Sequence, residues 1–141
     1  MSRGQPKIRV LIIDGSAAAR QLMSQMLSKE PGMEVMGAAS DPRFALAKMA
    51  CAWPDVIVLN IDMPRMDDLS FLRKLMLERP TPVVICSPLA QGGVADILAR
   101  LPKGMDAFLR ESGGDLAAAI HCAAVSMADR PRLFGGIQQF D

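Results

Sequence analysis

The chain has 141 residues, and its 16 Lys and Arg against 15 Asp and Glu leave a formal net charge of +1. A length close to about 150 residues implies one domain, able to bury roughly two thirds of its unfolded surface without disulfides or metal. Half of the residues are hydrophobic, 22% are charged and 4% are aromatic with no Tyr, which excludes wholesale disorder and supplies neither the positive field nor the stacking surface that nucleic-acid or membrane-surface binding requires.

In chain order, Ile8 to Ile13 is an apolar run that reads as a first strand, closed by Asp14. It is too short for the core of a signal peptide, and no uncharged stretch reaches the length of a membrane span. A soluble, cytoplasmic protein is expected. Ser16 is placed to cap a helix whose apolar positions Leu22, Met23, Met26 and Leu27 recur at three- and four-residue steps. Pro31-Gly32 ends it, and Met33 to Ala38 reads as a second strand. Asp41-Pro42 gives an N-cap followed by proline at the first helical position, opening a helix through Met49. Pro54 breaks the chain before a third strand, Asp55 to Asn60.

A loop over Ile61 to Asp68 leads to a helix from Leu69 to Arg79, stopped by Pro80, and Pro82 to Cys86 is a fourth strand. A helix around Val94 to Leu101, a short fifth strand over Met105 to Leu109, and a last helix to about Met127 complete the pattern. Ser112 and Asp115 make a capping-box-like start for that last helix. Residues 1–128 thus form the domain, and the tail 129–141, which lacks a clear period, is expected to be loose. Cys51, Cys86 and Cys122 are odd in number, sit in apolar segments and lack metal-ligand spacing, so they are expected as reduced, buried thiols.

Five alternating strand and helix units, with near-continuous apolar strands, imply an α/β fold: a parallel sheet covered on both faces in a doubly wound, three-layer sandwich. The functional crevice of such a sheet lies at the carboxyl ends of the strands. The residues found there are Asp14 and Gly15, Asn60, Ser87 and Glu111.

Those positions, together with the loop Asn60-Ile61-Asp62-Met63-Pro64-Arg65-Met66-Asp67-Asp68, resemble the receiver domain of two-component response regulators. The segment Met63 to Met76 is similar, more narrowly, to the receiver of the chemotaxis methylesterase regulator (CheB type), a close cousin of the CheY-type receiver. The resemblance covers about Ile8 to Met127 and implies the strand order 2-1-3-4-5. It also implies a site in which two acids after the first strand hold Mg²⁺ and an Asp ending the third accepts a phosphoryl group. A Ser or Thr after the fourth strand and a Lys-Pro after the fifth then grip the product.

The sequence departs from that pattern at most of these positions. Asp14 matches the first acid, but Gly15 stands at the second. The acceptor position is Asn60, whose neutral amide cannot carry an acyl phosphate. Ser87 matches, whereas Glu111 replaces the Lys with the opposite charge, and Ser112 replaces the Pro. A pseudo-receiver is therefore expected, with Mg²⁺ binding weak or absent, no other cofactor, and no enzymatic activity of its own. Pro88 is expected to stiffen the loop after the fourth strand.

Asp14 reads as a vestigial cation ligand or a structural acid, and Glu111 as a candidate replacement ligand. Asp62 fits the acidic residue that this subfamily carries two positions past the acceptor. Phe108 matches the switch aromatic of the family, and without a hydroxyl it reads as fixed core. His121 belongs to no Ser-His-Asp set and reads as an ordinary helix residue, and the methionines read as core filler.

The resemblance implies signalling proteins as partners, a histidine kinase or other chemotaxis or two-component components, docking on a face that includes Val94, Leu98, Leu101 and Phe108. The leading expectation is a phosphorylation-independent interaction module. One alternative is a residual Mg²⁺-dependent phosphoryl acceptor using Asp14, Asp62 or Glu111. Another is the regulatory part of a methylesterase regulator, for whose esterase domain 141 residues leave no room.

Overall fold

The structure is a computed structural model, and it describes residues 6–60, 66–86, 99, 108–111 and 115–128. Its elements are β1 (Ile8–Ile13), α1 (Ala17–Ser28), β2 (Met33–Ala39), α2 (Pro42–Cys51), β3 (Val56–Asn60), α3 (Met66–Glu78), β4 (Val83–Cys86), β5 (Leu109–Glu111) and α4 (Leu116–Ala128). The strands form one parallel sheet, as the alternation of periods predicts, in the order β2-β1-β3-β4-β5 that the receiver resemblance implies.

The central strands are buried on both faces, which is why they read as unbroken apolar runs. Successive side chains point to opposite sides of the sheet and so feed two cores. Leu11, Ile13, Ile57, Leu59, Val83 and Ile85 pack with Ala45 and Met49 of α2 and with Leu72, Leu75 and Met76 of α3. Val10, Ile12, Val56, Val58 and Val84 pack on the other face with Leu27 of α1 and with Ile120 and Ala123 of α4. Proline and capping chemistry set the helix ends. The Asp41 carboxylate accepts from the backbone N–H groups of Arg43 and Phe44 ahead of Pro42, and Ser16 Oγ accepts from Ala19 N.

Several boundaries differ from the sequence reading. The α3 helix begins at Met66, three residues before the expected Leu69. Asp68 lies in its first turn, where negative charge complements the helix N-terminus, so the helix takes in residues assigned to the loop. The fifth strand was expected over Met105 to Leu109, but its described part is Leu109–Glu111, paired Val83 to Leu109 and Ile85 to Glu111. It is an edge strand of the sheet, and its sequence includes Arg110 and Glu111, which an apolar-run criterion assigns to a loop. Asp115 caps α4, its Oδ1 accepting from Ala118 N at 3.0 Å and its carbonyl from Ala119 N, while Ser112 lies outside the described residues.

The expectation of buried thiols is corrected. Cys51 and Cys122 are exposed and Cys86 is half-buried, because the first two lie on the outward faces of α2 and α4. Of the expected helix over Val94 to Leu101 only Ala99 is described, in helical conformation; the rest of that segment and the tail 129–141 lie outside the described residues.

Candidate functional site

The carboxyl ends of the strands meet at one edge of the sheet. Ile13 of β1 pairs with Leu59 of β3, so Asp14 and Asn60, each one residue further on, arrive side by side. Asn60 in turn pairs with Cys86 of β4, and Ile85 pairs with Glu111 of β5, which brings the backbone of Glu111 to the same edge. The register therefore assembles three of the expected positions. Asp62 and Ser87 lie outside the described residues, as do Val94, Leu98 and Leu101 of the expected partner face, and of Glu111 only the backbone is described.

Asp14 is the centre of the site and is only 3% exposed. A buried carboxylate needs compensation, and each of its oxygens has a partner. Oδ2 accepts from the Asn60 side-chain amide, Nδ2, at 2.8 Å. Oδ1 accepts from the backbone N–H of Ser16 at 2.9 Å, closing a turn at the N-terminus of α1, where the helix dipole also favours the negative charge. The Arg20 guanidinium donates from Nη1 to the Asp14 backbone carbonyl at 2.8 Å, which puts a cation beside the pocket. The backbone N–H of Asp14 donates to Ala39 O of β2 at 3.0 Å.

Gly15 contributes no side chain. A Cβ built on it would approach only the Ser40 carbonyl oxygen, at 4.0 Å, and its backbone lies outside the left-handed region. Neither crowding nor conformation requires glycine there. Phe108 is 4% exposed and packs into the core shared with α2 and α3, so this member of the expected partner face offers almost no surface to a partner.

Sequence reasoning missed the hydrogen-bonded unit that joins Asp14, Asn60, Ser16 and Arg20. Its local half was legible, because an acid two residues before a helix-capping serine is the spacing of a side-chain turn. The bond to Asn60 spans 46 positions and becomes visible only once the register is known.

Residues 10–118 match the family described as the response regulator receiver domain. The chain belongs to that family. It is 48% identical over 131 residues to a protein-glutamate methylesterase/protein-glutamine glutaminase of Pseudomonas savastanoi pv. phaseolicola, a match covering 85% of this chain and 37% of the relative. A methylesterase/glutaminase of Chromobacterium violaceum is 56% identical over 102 residues, covering 72% of this chain and 28% of the relative.

Among solved structures, the response regulator domain of Thermotoga maritima CheB superposes with a TM-score of 0.59 at 26% identity, covering 94% of this chain and 95% of that one. The R. sphaeroides structure of the CheA3 P1 domain in complex with CheY6 matches with a TM-score of 0.60 at 26% identity, covering 89% and 96%. The chain is thus a receiver of the chemotaxis methylesterase type, as the segment Met63 to Met76 suggested.

The expectation of a protein that is not an enzyme is corrected by these relatives, which are named as methylesterases and glutaminases. The chain spans 37% of the length of the first of them, so the likeness is to their receiver portion. The likeness of Met63 to Met76 to the methylesterase regulator's receiver was the signal in the sequence that pointed this way. No described helix is long and apolar enough to cross a membrane.

Proposed function

We propose that this receiver works without phosphorylation, as a protein-interaction module of cytoplasmic chemotaxis-type two-component signalling whose phosphoacceptor pocket is held in one chemical state. The observation that carries the reading is the amide of Asn60 bonded at 2.8 Å to the carboxylate of Asp14. An aspartate at position 60 would be a nucleophile, whereas an amide has no anionic oxygen to attack phosphorus and forms no acyl phosphate.

The described donors also do not suit Mg²⁺. That ion asks for an octahedral shell of oxygens, whereas both Asp14 oxygens already accept N–H groups, Gly15 supplies no oxygen from a side chain, and Asn60 turns its NH₂ toward the acid. Glu111, standing where the family places a lysine, removes the cation that would draw a phosphate in. The complex of CheY6 with the P1 domain of CheA3 supports a signalling protein as the partner class, since that similar receiver is seen bound to a domain of another protein.

The reading is tested by intact mass after incubation with acetyl phosphate and Mg²⁺, with a Gly15→Asp, Asn60→Asp, Glu111→Lys variant alongside. The open space at Gly15 lets the added acid enter without strain. Labelling of the variant alone is the expected result. Labelling of the native chain overturns the proposal and directs attention to Asp14, Asp62 or Glu111.

A further inference from the structure

We infer that Asn60 serves as a built-in substitute for a metal ion: its amide, with the Ser16 N–H and Arg20, forms a cation-independent clasp that ties the ends of β1 and β3 to the N-terminus of α1. Two strand ends that both carried carboxylates would repel one another across a buried gap, and a cation or a proton would have to sit between them. Here the gap is bridged directly. Asn60 Nδ2 reaches Asp14 Oδ2 at 2.8 Å, Ser16 N reaches Oδ1 at 2.9 Å, and Arg20 Nη1 fixes the carbonyl of the same residue at 2.8 Å. The single acid is 3% exposed and its bonds are partly buried, which strengthens a charge-assisted hydrogen bond and raises the cost of an unmade one.

The roles within the clasp are distinct. Asp14 is the member that accepts through its side chain, and it does so from two directions. Ser16 belongs to it through the backbone N–H, while its Oγ separately caps α1 at Ala19, so the residue that joins the clasp also starts the helix. Asn60 is the long-range member. Its amide is the part that a metal ion would otherwise replace, because it presents positive hydrogens to the acid and brings no charge that must itself be neutralised. The clasp rests on the proposed function only in that the pocket operates without a metal.

Exchanging the two side chains gives a sharp test. In the double variant Asp14→Asn, Asn60→Asp, the amide introduced at position 14 can accept from Ser16 N through its oxygen. It can also donate through its nitrogen to the carboxylate introduced at position 60, so both bonds survive with the charge moved across the gap. In Asn60→Asp alone, two carboxylates face each other and the bond is lost. The native chain and both variants are melted in EDTA and again in excess Mg²⁺, with far-UV circular dichroism as the readout.

The native midpoint is expected to be the same in both solutions. The single variant should fall by roughly 5–10 °C in EDTA and regain part of that in Mg²⁺. The exchange variant should melt close to the native chain in EDTA. If the single variant does not fold in either solution, the exchange variant decides: a folded protein with a near-native midpoint supports the clasp, and an unfolded one overturns it. A single variant as stable as the native chain in EDTA, or an exchange variant no more stable than the single one, also overturns it. The labelling experiment reports on the acceptor and melting reports on the clasp, so either idea can fail while the other stands.

Discussion

The sheet joins β1 to β3 with side-chain bonds at both of its ends, and the two ends differ in the surroundings of those bonds. At the carboxyl end, the half-buried Asn60 meets the buried Asp14. At the opposite end, Arg9 and Asp55 meet in the open: Arg9 N donates to Asp55 Oδ2 at 2.8 Å, Asp55 N donates to Arg9 O at 2.9 Å, and the two side chains, 3.8 Å apart as an ion pair, are 42% and 48% exposed. The same two strands thus carry polar bonds at each end. Water competes for the lower set and screens its charges, while the upper set is partly buried around an acid that is itself buried. It follows that the chemistry of the upper end cannot be altered cheaply, and that the lower end draws its strength from something other than charge.

That other source is Trp53. Its ring lies beneath the Arg79 guanidinium, 4.2 Å from the centroid, its Nε1 donates to Thr81 Oγ1 at 2.9 Å, and its carbonyl accepts from Arg9 Nη2 at 2.6 Å. With Leu46, Phe71 and Leu75 it lines a cavity of about 230 Å³ between α2 and α3. The largest loss is therefore expected at the lower end, from the ring: Trp53→Ala should destabilise by about 3–4 kcal/mol, read from urea midpoints. A smaller effect than that of Asp14→Ala would break the contrast.

Asp14→Ala comes next, at about 2–3 kcal/mol, because it removes a buried acid and takes the acceptor from the partly buried Asn60 amide and Ser16 N–H. Asp55→Ala, on the same pair of strands, should cost no more than about 1 kcal/mol and should become indistinguishable from the native chain in high salt. An Asp55→Ala loss equal to that of Asp14→Ala would show that burial is not the deciding variable.

The smallest effects lie on the outer faces. Lys74→Ala removes an exposed pair with Glu78 at 3.2 Å and should change stability by about 0.3–0.5 kcal/mol at most. At Asp41, the Arg43 side chain and the backbone N–H groups of Phe44 and Arg43 hold the carboxyl below its ordinary 3.8. Its folded-state value is depressed, so its contribution is complete above the unfolded value and is lost as pH falls through the folded one, on the acid side of 3.8. Carboxyl-detected NMR should place its midpoint there, and Arg43→Ala should move that midpoint upward.

Much of the fold was legible because the strands are buried on both faces. Ile8 to Ile13 and Val56 to Leu59 announce themselves as apolar runs, and Ser16, Asp41-Pro42 and Pro80 punctuate the helices between them. The misplaced boundaries share one cause. At Met66, at Leu109–Glu111 and at Asp115, charged residues belong to an element that apolar periodicity does not mark, and helix dipoles, an edge position and a carboxylate cap decide the outcome instead. At the site, the identities of Asp14, Gly15 and Asn60 were readable from strand ends. Their union was not, since a bond across 46 residues is a property of register.

The exposed thiols make the chain a ready-made probe of its own motions. Cys51 sits on the helix that covers one face of the sheet and Cys122 on the helix that covers the other, while Cys86 lies half-buried at the end of β4 near Asn60. The native chain therefore arrives with two attachment points for spectroscopic tags on opposite sides of the molecule, and a third thiol whose slower reaction reports on opening of the strand ends. Timed alkylation can follow both faces and the pocket edge at once, without introducing a single new cysteine.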